Sequence, residues 1–420
     1  MTSHGKVKAR PRSARQTSAG VRTLVVAAGA AVIWLATALP AGAVTVADLA
    51  TTRCVCNYLF GEDADDVGTW ERDLDRIKQA GLNTVWMVNV WAAYEPSADP
   101  PEWREDRIEA LRRICAAARD RDMNLLLVLA YTGEGWGPKG VDVPVWPLIE
   151  RHRREHLDFL QRMARETREF DNVFYLLCSE EILPATLLYR PNEREECVAS
   201  FRAWAKQADP DIAYWNERWG TDYTWENLAP ADTKHRPRWQ LWADHSRWHG
   251  YLMRGLLPPM VAAIREEKPG ALVGYHDFLL PEKKLGLTVA DGGLEPAAGC
   301  DFYSIGCYRE PKAEGGLEGH LAVLRGQVER ARELYPEVPI FVGELGMPVQ
   351  KAPPETRHEE EAMQADFLMG AVEYLEGEGV GYSLWDWRTV VASADATHSL
   401  VREDGTVTPA LERLTRRWRG

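Results

Sequence analysis

The stretch Pro339-Ile-Phe-Val-Gly-Glu-Leu-Gly-Met-Pro348 decides how the rest of the chain is interpreted. Its apolar run Ile340–Val342 is short and rich in β-branched and aromatic residues, which is typical of a buried parallel strand. Glu344 follows, between Gly343 and Gly346, which allow a ligand to approach the backbone closely. An acid at the carboxyl end of a strand suits a site better than a core. One such acid in a chain with 63 acids could also simply end a strand, so the rest of the chain must decide.

Apolar runs of this kind alternate with helical segments along most of the chain. They predict eight strands, at Cys54–Leu59, Asn83–Val90, Asn124–Ala130, Asn172–Cys178, Ala271–Tyr275, Asp301–Cys307, Val338–Gly343 and Gly379–Trp385. Between the fourth and fifth strands the pattern predicts a long helical insertion, with helices near Arg194–Ala208, Asp211–Asn227 and Pro237–Lys268. Eight buried parallel strands with helices between them predict an α/β fold of the (β/α)8 TIM barrel type.

The first 43 residues have the composition of an export signal. Six basic residues and no acid precede the apolar run Leu24–Leu39, and Ala41-Gly-Ala43 is a small-residue cleavage signature. An uncleaved anchor is the alternative, because Thr23–Ala43 is long enough to cross a bilayer. We expect cleavage after Ala43, export through a cleavable signal peptide without stable membrane insertion, and a single catalytic domain over residues 44–420.

The charge and the cysteine content narrow the range of ligands that the chain is expected to bind. Without residues 1–43 the chain keeps 44 of its 50 basic residues against 63 acids, a formal charge of −19. Such a surface repels phosphate backbones, which argues against nucleic-acid binding and suits a neutral ligand. The seven cysteines include no Cys-x-x-Cys pair, so a zinc knuckle is not predicted. Their pairing and the oligomeric state are not readable from the sequence.

In a barrel of this kind the functional side chains gather at the carboxyl ends of the strands. Glu180 and Glu181 follow the fourth strand and Glu344 the seventh. Two carboxylates among aromatic residues are the equipment of glycosidic bond cleavage, in which one acid protonates the departing oxygen and the other attacks the sugar. The strand ends also carry polar and aromatic residues that could contact a sugar: Asn89, Trp91, Tyr131, Glu134, Trp136, His276, Asp277, Tyr308, Trp385, Asp386, Trp387 and Arg388.

These motifs resemble clan A of the glycoside hydrolases, whose (β/α)8 barrels place an acid/base Glu after strand four and a nucleophilic Glu after strand seven. Val342–Gly346 resembles the nucleophile motif, and Asn172–Glu181 resembles the strand-four motif, with Glu180 at the acid/base position. Further similar segments are Gly81–Val85 and Ser383–Trp387, and Trp215–Tyr223 and Asp404–Ala410 resemble β-galactosidase-type barrels of glycoside hydrolase family 42. The resemblance implies a retaining glycosidase that acts on a β-linked glycan.

One departure from the clan pattern concerns the residue before Glu180. The clan usually has Asn there, whose amide can bond the sugar 2-hydroxyl, and this chain has Ser179. A hydroxyl still makes a hydrogen bond but reaches less far. A bridging water, a substrate that is unusual at that carbon, or impaired catalysis would each be consistent with this residue.

The resulting prediction is a secreted retaining glycoside hydrolase that needs no metal and no organic cofactor. Glu344 is expected to be the nucleophile and Glu180 the acid/base, with Glu181 as the substitute if the register differs by one. Residues predicted to contact the carbohydrate are Tyr308, Trp385, Ser179, His276 and Trp136. For His276 the sequence favours a substrate contact and a structural role equally. The alternative is a carbohydrate-binding barrel with impaired or lost catalysis. Sugar, linkage, and exo or endo action stay open.

Two histidine patterns offer a rival metal site. His152-Arg-Arg-Glu155-His156 matches a His-x-x-Glu-His motif, but it lies in a highly charged helix that we expect to be a solvated outer face. His245 and His249 are four residues apart and share their helix with tryptophans, so packing is the favoured interpretation.

Overall fold

Eight parallel strands close into a barrel, which confirms the predicted fold class. The computed structural model describes residues 43–57, 66–131, 137–178, 187, 190–231, 239–277, 299–311, 315–350, 354–388 and 396–420. Each strand pairs in parallel with its neighbour, and β1 closes the ring between β2 and β8. The strands are β1 Arg53–Cys56, β2 Thr84–Val90, β3 Asn124–Tyr131, β4 Val173–Cys178, β5 Val273–Asp277, β6 Phe302–Tyr308, β7 Ile340–Gly346 and β8 Gly381–Leu384.

Two apolar cores follow from the alternation of side chains along these strands. One fills the barrel and includes Trp86, Leu126, Phe174, Phe302 and Phe341. The other lies between the barrel and its helices and takes the intervening strand residues. The strands therefore bury both faces, which explains why their sequences read as continuous apolar runs.

Nine longer helices accompany the strands within the described residues. They are α1 Val67–Ala80, α2 Glu105–Arg119, α3 Glu150–Glu166, α4 Glu195–Ala208, α5 Ile212–Trp219, α6 Trp239–Glu267, α7 Gly316–Leu334, α8 Pro354–Gly377 and α9 Pro409–Arg419. Short helical segments cover Val46–Leu49, Trp91–Tyr94, Val143–Leu148 and Pro191–Glu193. Two small antiparallel ladders pair Ser97–Ala98 with Pro101–Glu102 and Val349–Gln350 with Ala396–Thr397. None of the helices in these ranges is long and apolar enough to cross a membrane.

The largest difference from the predicted helices is α5, which was expected to run from Asp211 to Asn227. The Asp211 side chain caps its start by accepting a hydrogen bond from the Ala213 N–H at 2.9 Å. The helix ends at Trp219, because Gly220 takes a left-handed conformation with φ 63°. Helices α4, α5 and α6 all lie between β4 and β5 in the chain.

A bulge near the carboxyl end of β7 sets the direction of the most important side chain. Phe341 faces the barrel interior and Val342 the outer core, yet Leu345 also faces the outer core. The register against β6 shifts here, from Ile305 opposite Val342 to Gly306 opposite Glu344. The extra residue breaks the two-residue period and turns Glu344 toward the inside, as bulges at barrel rims often do.

Candidate active site

Glu344 lies at the rim of the barrel and is almost buried, with 7% of its surface exposed. Tyr308, at the end of the neighbouring strand β6, donates its hydroxyl to Glu344 Oε2 at 2.6 Å. Burial raises the pKa of Tyr308 well above its usual value, and the charge of Glu344 raises it further. Tyr308 therefore keeps its proton at neutral pH and acts as a donor to the carboxylate.

The other carboxylate oxygen faces His276 on β5. Nε2 of His276 lies 3.7 Å from Glu344 Oε1, and Nδ1 lies 2.7 Å from the hydroxyl of Ser304 on β6. Burial lowers the pKa of His276 to about 3, so the ring is neutral near pH 7. Three adjacent strands thus contribute to the surroundings of one carboxylate.

Aromatic rings form the walls around Glu344. Trp385, at the end of β8, is partly exposed and lies edge-on to Tyr308 at 6.3 Å and to Trp86 at 6.1 Å between ring centroids. Trp86 also meets His276 edge-on at 5.6 Å. His398 lies edge-on to Tyr308 at 5.3 Å, and burial lowers its pKa to about 4. The arrangement is an acid flanked by neutral donors and by rings that can stack on a sugar face.

The structure brings together four of the predicted site residues: Glu344, Tyr308, Trp385 and His276. The other three, Glu180, Ser179 and Trp136, lie outside the described residues, as do Glu181 and Glu134. Their roles, and the expected separation of the two catalytic carboxyl groups, stay predictions.

Several other strand-end residues have structural partners instead. Asn89 donates to the Val128 carbonyl at 3.1 Å. Trp91 donates its indole N–H to Glu95 at 2.8 Å, and Arg388 pairs with Asp73 at 2.9 Å. These contacts occupy the polar groups away from Glu344.

Three residues of this arrangement were missed by the sequence reasoning. Trp86 lies within the second predicted strand and is buried, but its ring also meets the rings of His276 and Trp385 edge-on. Ser304 and His398 carried no motif. The sequence signal that could have found them is a polar residue within an apolar strand for Ser304, and the lone histidine after the last strand for His398.

The His-x-x-Glu-His motif lies on α3, and the expectation of a solvated face is wrong for its two histidines. His152 is 5% exposed and bonds Glu155 at 2.7 Å, and His156 is fully buried. His156 stacks on Trp146 at 4.3 Å between ring centroids, because the turn Val143–Leu148 covers that side of the helix. Between them, Arg154 is exposed, and Arg153 and Glu155 are partly exposed.

Packing accounts for the second histidine pair and for Trp215 and Trp219 in α5. His245 and His249 lie 4.2 Å apart between ring centroids, and Trp248 packs against both. Trp215 and Trp219 stack at 4.8 Å and are each 4% exposed. The described residues include no group of three or more His, Cys, Asp or Glu placed to hold a metal ion.

Comparison with known proteins adds evidence at the level of fold. No protein-family model matches the chain, and no curated protein matches it. A β-galactosidase from the Antarctic haloarchaeon Halorubrum lacusprofundi superposes with a TM-score of 0.61 and 16% identity, over 88% of this chain and 58% of that one. The chain thus spans less than two thirds of that β-galactosidase.

With two other solved structures, the match extends over a larger share of the other protein. A GH5_18 protein from Streptomyces cattleya in complex with Manβ1-4GlcNAc gives a TM-score of 0.57 at 15% identity, over 88% of this chain and 80% of that one. The catalytic domain of a β-amylase from Paenibacillus polymyxa gives a TM-score of 0.57 at 14% identity, over 87% of this chain and 97% of that one. The predicted resemblance to clan A glycoside hydrolase barrels is confirmed, and at these identities it shows the fold.

Proposed function

We propose that the protein is a retaining glycoside hydrolase that cleaves a β-linked glycan or oligosaccharide by double displacement. The observation that carries the proposal is the surroundings of Glu344: a carboxylate at the end of β7, bonded by Tyr308 at 2.6 Å, with Trp385 edge-on to that tyrosine. A carboxylate among sugar-stacking rings suits attack on an anomeric carbon. The fold neighbours named as glycosidases agree with this activity.

In this mechanism Glu344 attacks the anomeric carbon while Glu180 gives its proton to the leaving oxygen. Water, activated by Glu180, then hydrolyses the glycosyl-enzyme. Tyr308 holds one oxygen of Glu344, and Trp385 is a platform beneath the reacting sugar. Double displacement predicts carboxyl groups of Glu180 and Glu344 about 5–5.5 Å apart, whereas about 6.5–9.5 Å would indicate inversion.

The proposal includes export. The basic leader, the apolar run and Ala41-Gly-Ala43 support cleavage after Ala43 and a secreted catalytic domain over residues 44–420. N-terminal sequencing of the exported protein should read Val44 first. A mature protein that still carries residues 1–43 would contradict this part of the proposal.

A second candidate function is a carbohydrate-binding barrel with lost turnover, and the observation in its favour is Ser179 where clan A has Asn. Aryl β-glycosides of galactose, glucose and mannose, assayed with and without a chelator, separate the candidates. Hydrolysis that survives the chelator and disappears in Glu344→Gln supports the proposal. Sugar binding without hydrolysis supports the second candidate, and loss of hydrolysis with chelator indicates a metal-dependent reaction instead.

A further inference from the structure

The Ser304 hydroxyl and the His276 ring form a fully buried pair inside the barrel rim. Both residues have no exposed surface, and Ser304 Oγ lies 2.7 Å from His276 Nδ1. Within the described ranges the imidazole is the one hydrogen-bond partner of that hydroxyl. A buried hydroxyl must donate its proton to avoid the cost of an unmade hydrogen bond.

This donation decides which nitrogen of His276 carries the proton. If Ser304 donates to Nδ1, then Nδ1 is the acceptor and the neutral ring carries its hydrogen on Nε2. Nε2 is the nitrogen that faces Glu344 Oε1, at 3.7 Å. The opposite tautomer would direct a lone pair at a carboxylate and leave the serine proton without an acceptor.

Glu344 then has a neutral donor facing each oxygen. Tyr308 donates to Oε2 at 2.6 Å, and the Nε2–H of His276 faces Oε1. The second contact is longer than a hydrogen bond, and catalytic hydrogen bonds often shorten only when substrate binds. Two neutral donors orient a carboxylate without offsetting its negative charge as strongly as a cation in an ion pair would.

The bulge in β7 makes room for this arrangement. A Cβ on Gly343 would lie 2.2 Å from Ser304 Oγ and 2.9 Å from His276 Nδ1, so no side chain fits there. The same bulge turns Glu344 inward. One local feature therefore places the carboxylate and leaves space for the pair beside it.

We propose that Ser304 and His276 are positioning residues for Glu344, with the serine holding the imidazole in the tautomer that directs Nε2–H at Oε1. This inference rests on the proposed function, because it assumes that Glu344 is the nucleophile. It predicts that what matters at position 276 is a donor at the Nε2 position.

The test uses 2,4-dinitrophenyl 2-deoxy-2-fluoro-β-glycosides of galactose, glucose and mannose, which label a nucleophile covalently. The rate of labelling of Glu344 is followed by mass spectrometry on the full-length protein. His276→Gln keeps an N–H near the Nε2 position and should label within about 10-fold of wild type, whereas His276→Asn reaches only as far as Nδ1 and should be about 100-fold slower. Ser304→Ala should be about 10-fold slower, and the control Ser383→Ala, a fully buried serine elsewhere in the barrel, should be unchanged.

A double-substitution cycle separates tautomer control from packing. A glutamine has no tautomer to be held, so adding Ser304→Ala to His276→Gln should cost almost nothing beyond His276→Gln alone. Equal labelling rates of His276→Gln and His276→Asn, or a full 10-fold cost of Ser304→Ala in the glutamine background, would overturn the inference while Glu344 stays the nucleophile. A wild-type protein that no probe labels at Glu344 would instead overturn the proposed function. Thermal unfolding of each variant shows whether a lost rate reflects lost structure.

Discussion

His276 and His156 look alike by most local measures and lie in different parts of the molecule. Both are fully buried, and burial lowers the pKa of each to about 3. Both contact indole rings, Trp86 at 5.6 Å for His276 and Trp146 at 4.3 Å for His156. Only His156 belongs to a recognised motif of catalytic metal sites.

The difference lies in what the ring nitrogens face. His276 meets a hydroxyl and a carboxylate at the strand ends, whereas neither nitrogen of His156 has a hydrogen-bond partner within the described ranges. Burial and aromatic neighbours therefore do not distinguish a histidine with a functional role from one that only fills space in the core. Position at the carboxyl ends of the barrel strands does, because there several strands bring polar groups together.

The largest effect is expected from removing the carboxylate itself. Glu344→Gln should lower kcat/KM on aryl glycosides by about 10⁴-fold or more, since no covalent intermediate can form. Glu95→Gln is the matched control, because Glu95 is equally buried and burial raises its pKa to about 7. Equal losses in the two variants would remove the distinction between the strand-seven acid and an ordinary buried acid.

Glu180→Ala should be more selective in its effect. Substrates whose leaving group needs protonation should lose about 10³-fold, whereas an activated aryl glycoside should still form the glycosyl-enzyme and give a burst followed by slow turnover. Azide should speed the second step and yield a glycosyl azide of retained configuration. Equal loss on both substrate types, without a burst or an azide product, would transfer the role to Glu181.

Tyr308→Phe should have an intermediate effect. Removing the 2.6 Å donor to Glu344 should lower kcat/KM by about 10²-fold and move the acidic limb of its pH profile upward, because the carboxylate loses a hydrogen bond to its charged form. Tyr303→Phe changes a buried tyrosine of the same strand that faces the outer core, and should leave the profile in place. If the acidic limb of the pH profile shifts equally in both variants, the effect comes from altered packing and not from the lost hydrogen bond.

The smallest effect on activity is expected at His156. His156→Leu should change kcat/KM by less than about 2-fold, because the ring lies in the outer layer. It should flatten the acid dependence of stability. The folded pKa of about 3 lies below the unfolded value of about 6.5, so this histidine costs stability as pH falls through that window and nothing above it. Urea unfolding against pH should show a slope smaller by about 1.4 kcal/mol per pH unit.

The sequence by itself determined the barrel and the strand ends at which polar groups meet. Apolar runs with helices between them are local patterns, and each of the eight predicted strands overlaps an observed one. Glu344, Tyr308 and Trp385 could be found in this way because each stands at the end of such a run. The outer face of α3 was misjudged, because a separate segment, Val143–Leu148, buries its histidines. The periodicity of the helix sequence does not show what packs against that face.

The tertiary structure alone decided which side chains face each other. Strict alternation from Phe341 would send Glu344 outward, and the bulge that reverses this depends on the register against β6. Ser304 meets His276 from 28 residues away, and His398 reaches Tyr308 from beyond β8. Hydrophobic periodicity specifies a face, but closure of the barrel sets the stagger between strands, and the contacts of the site follow from that stagger.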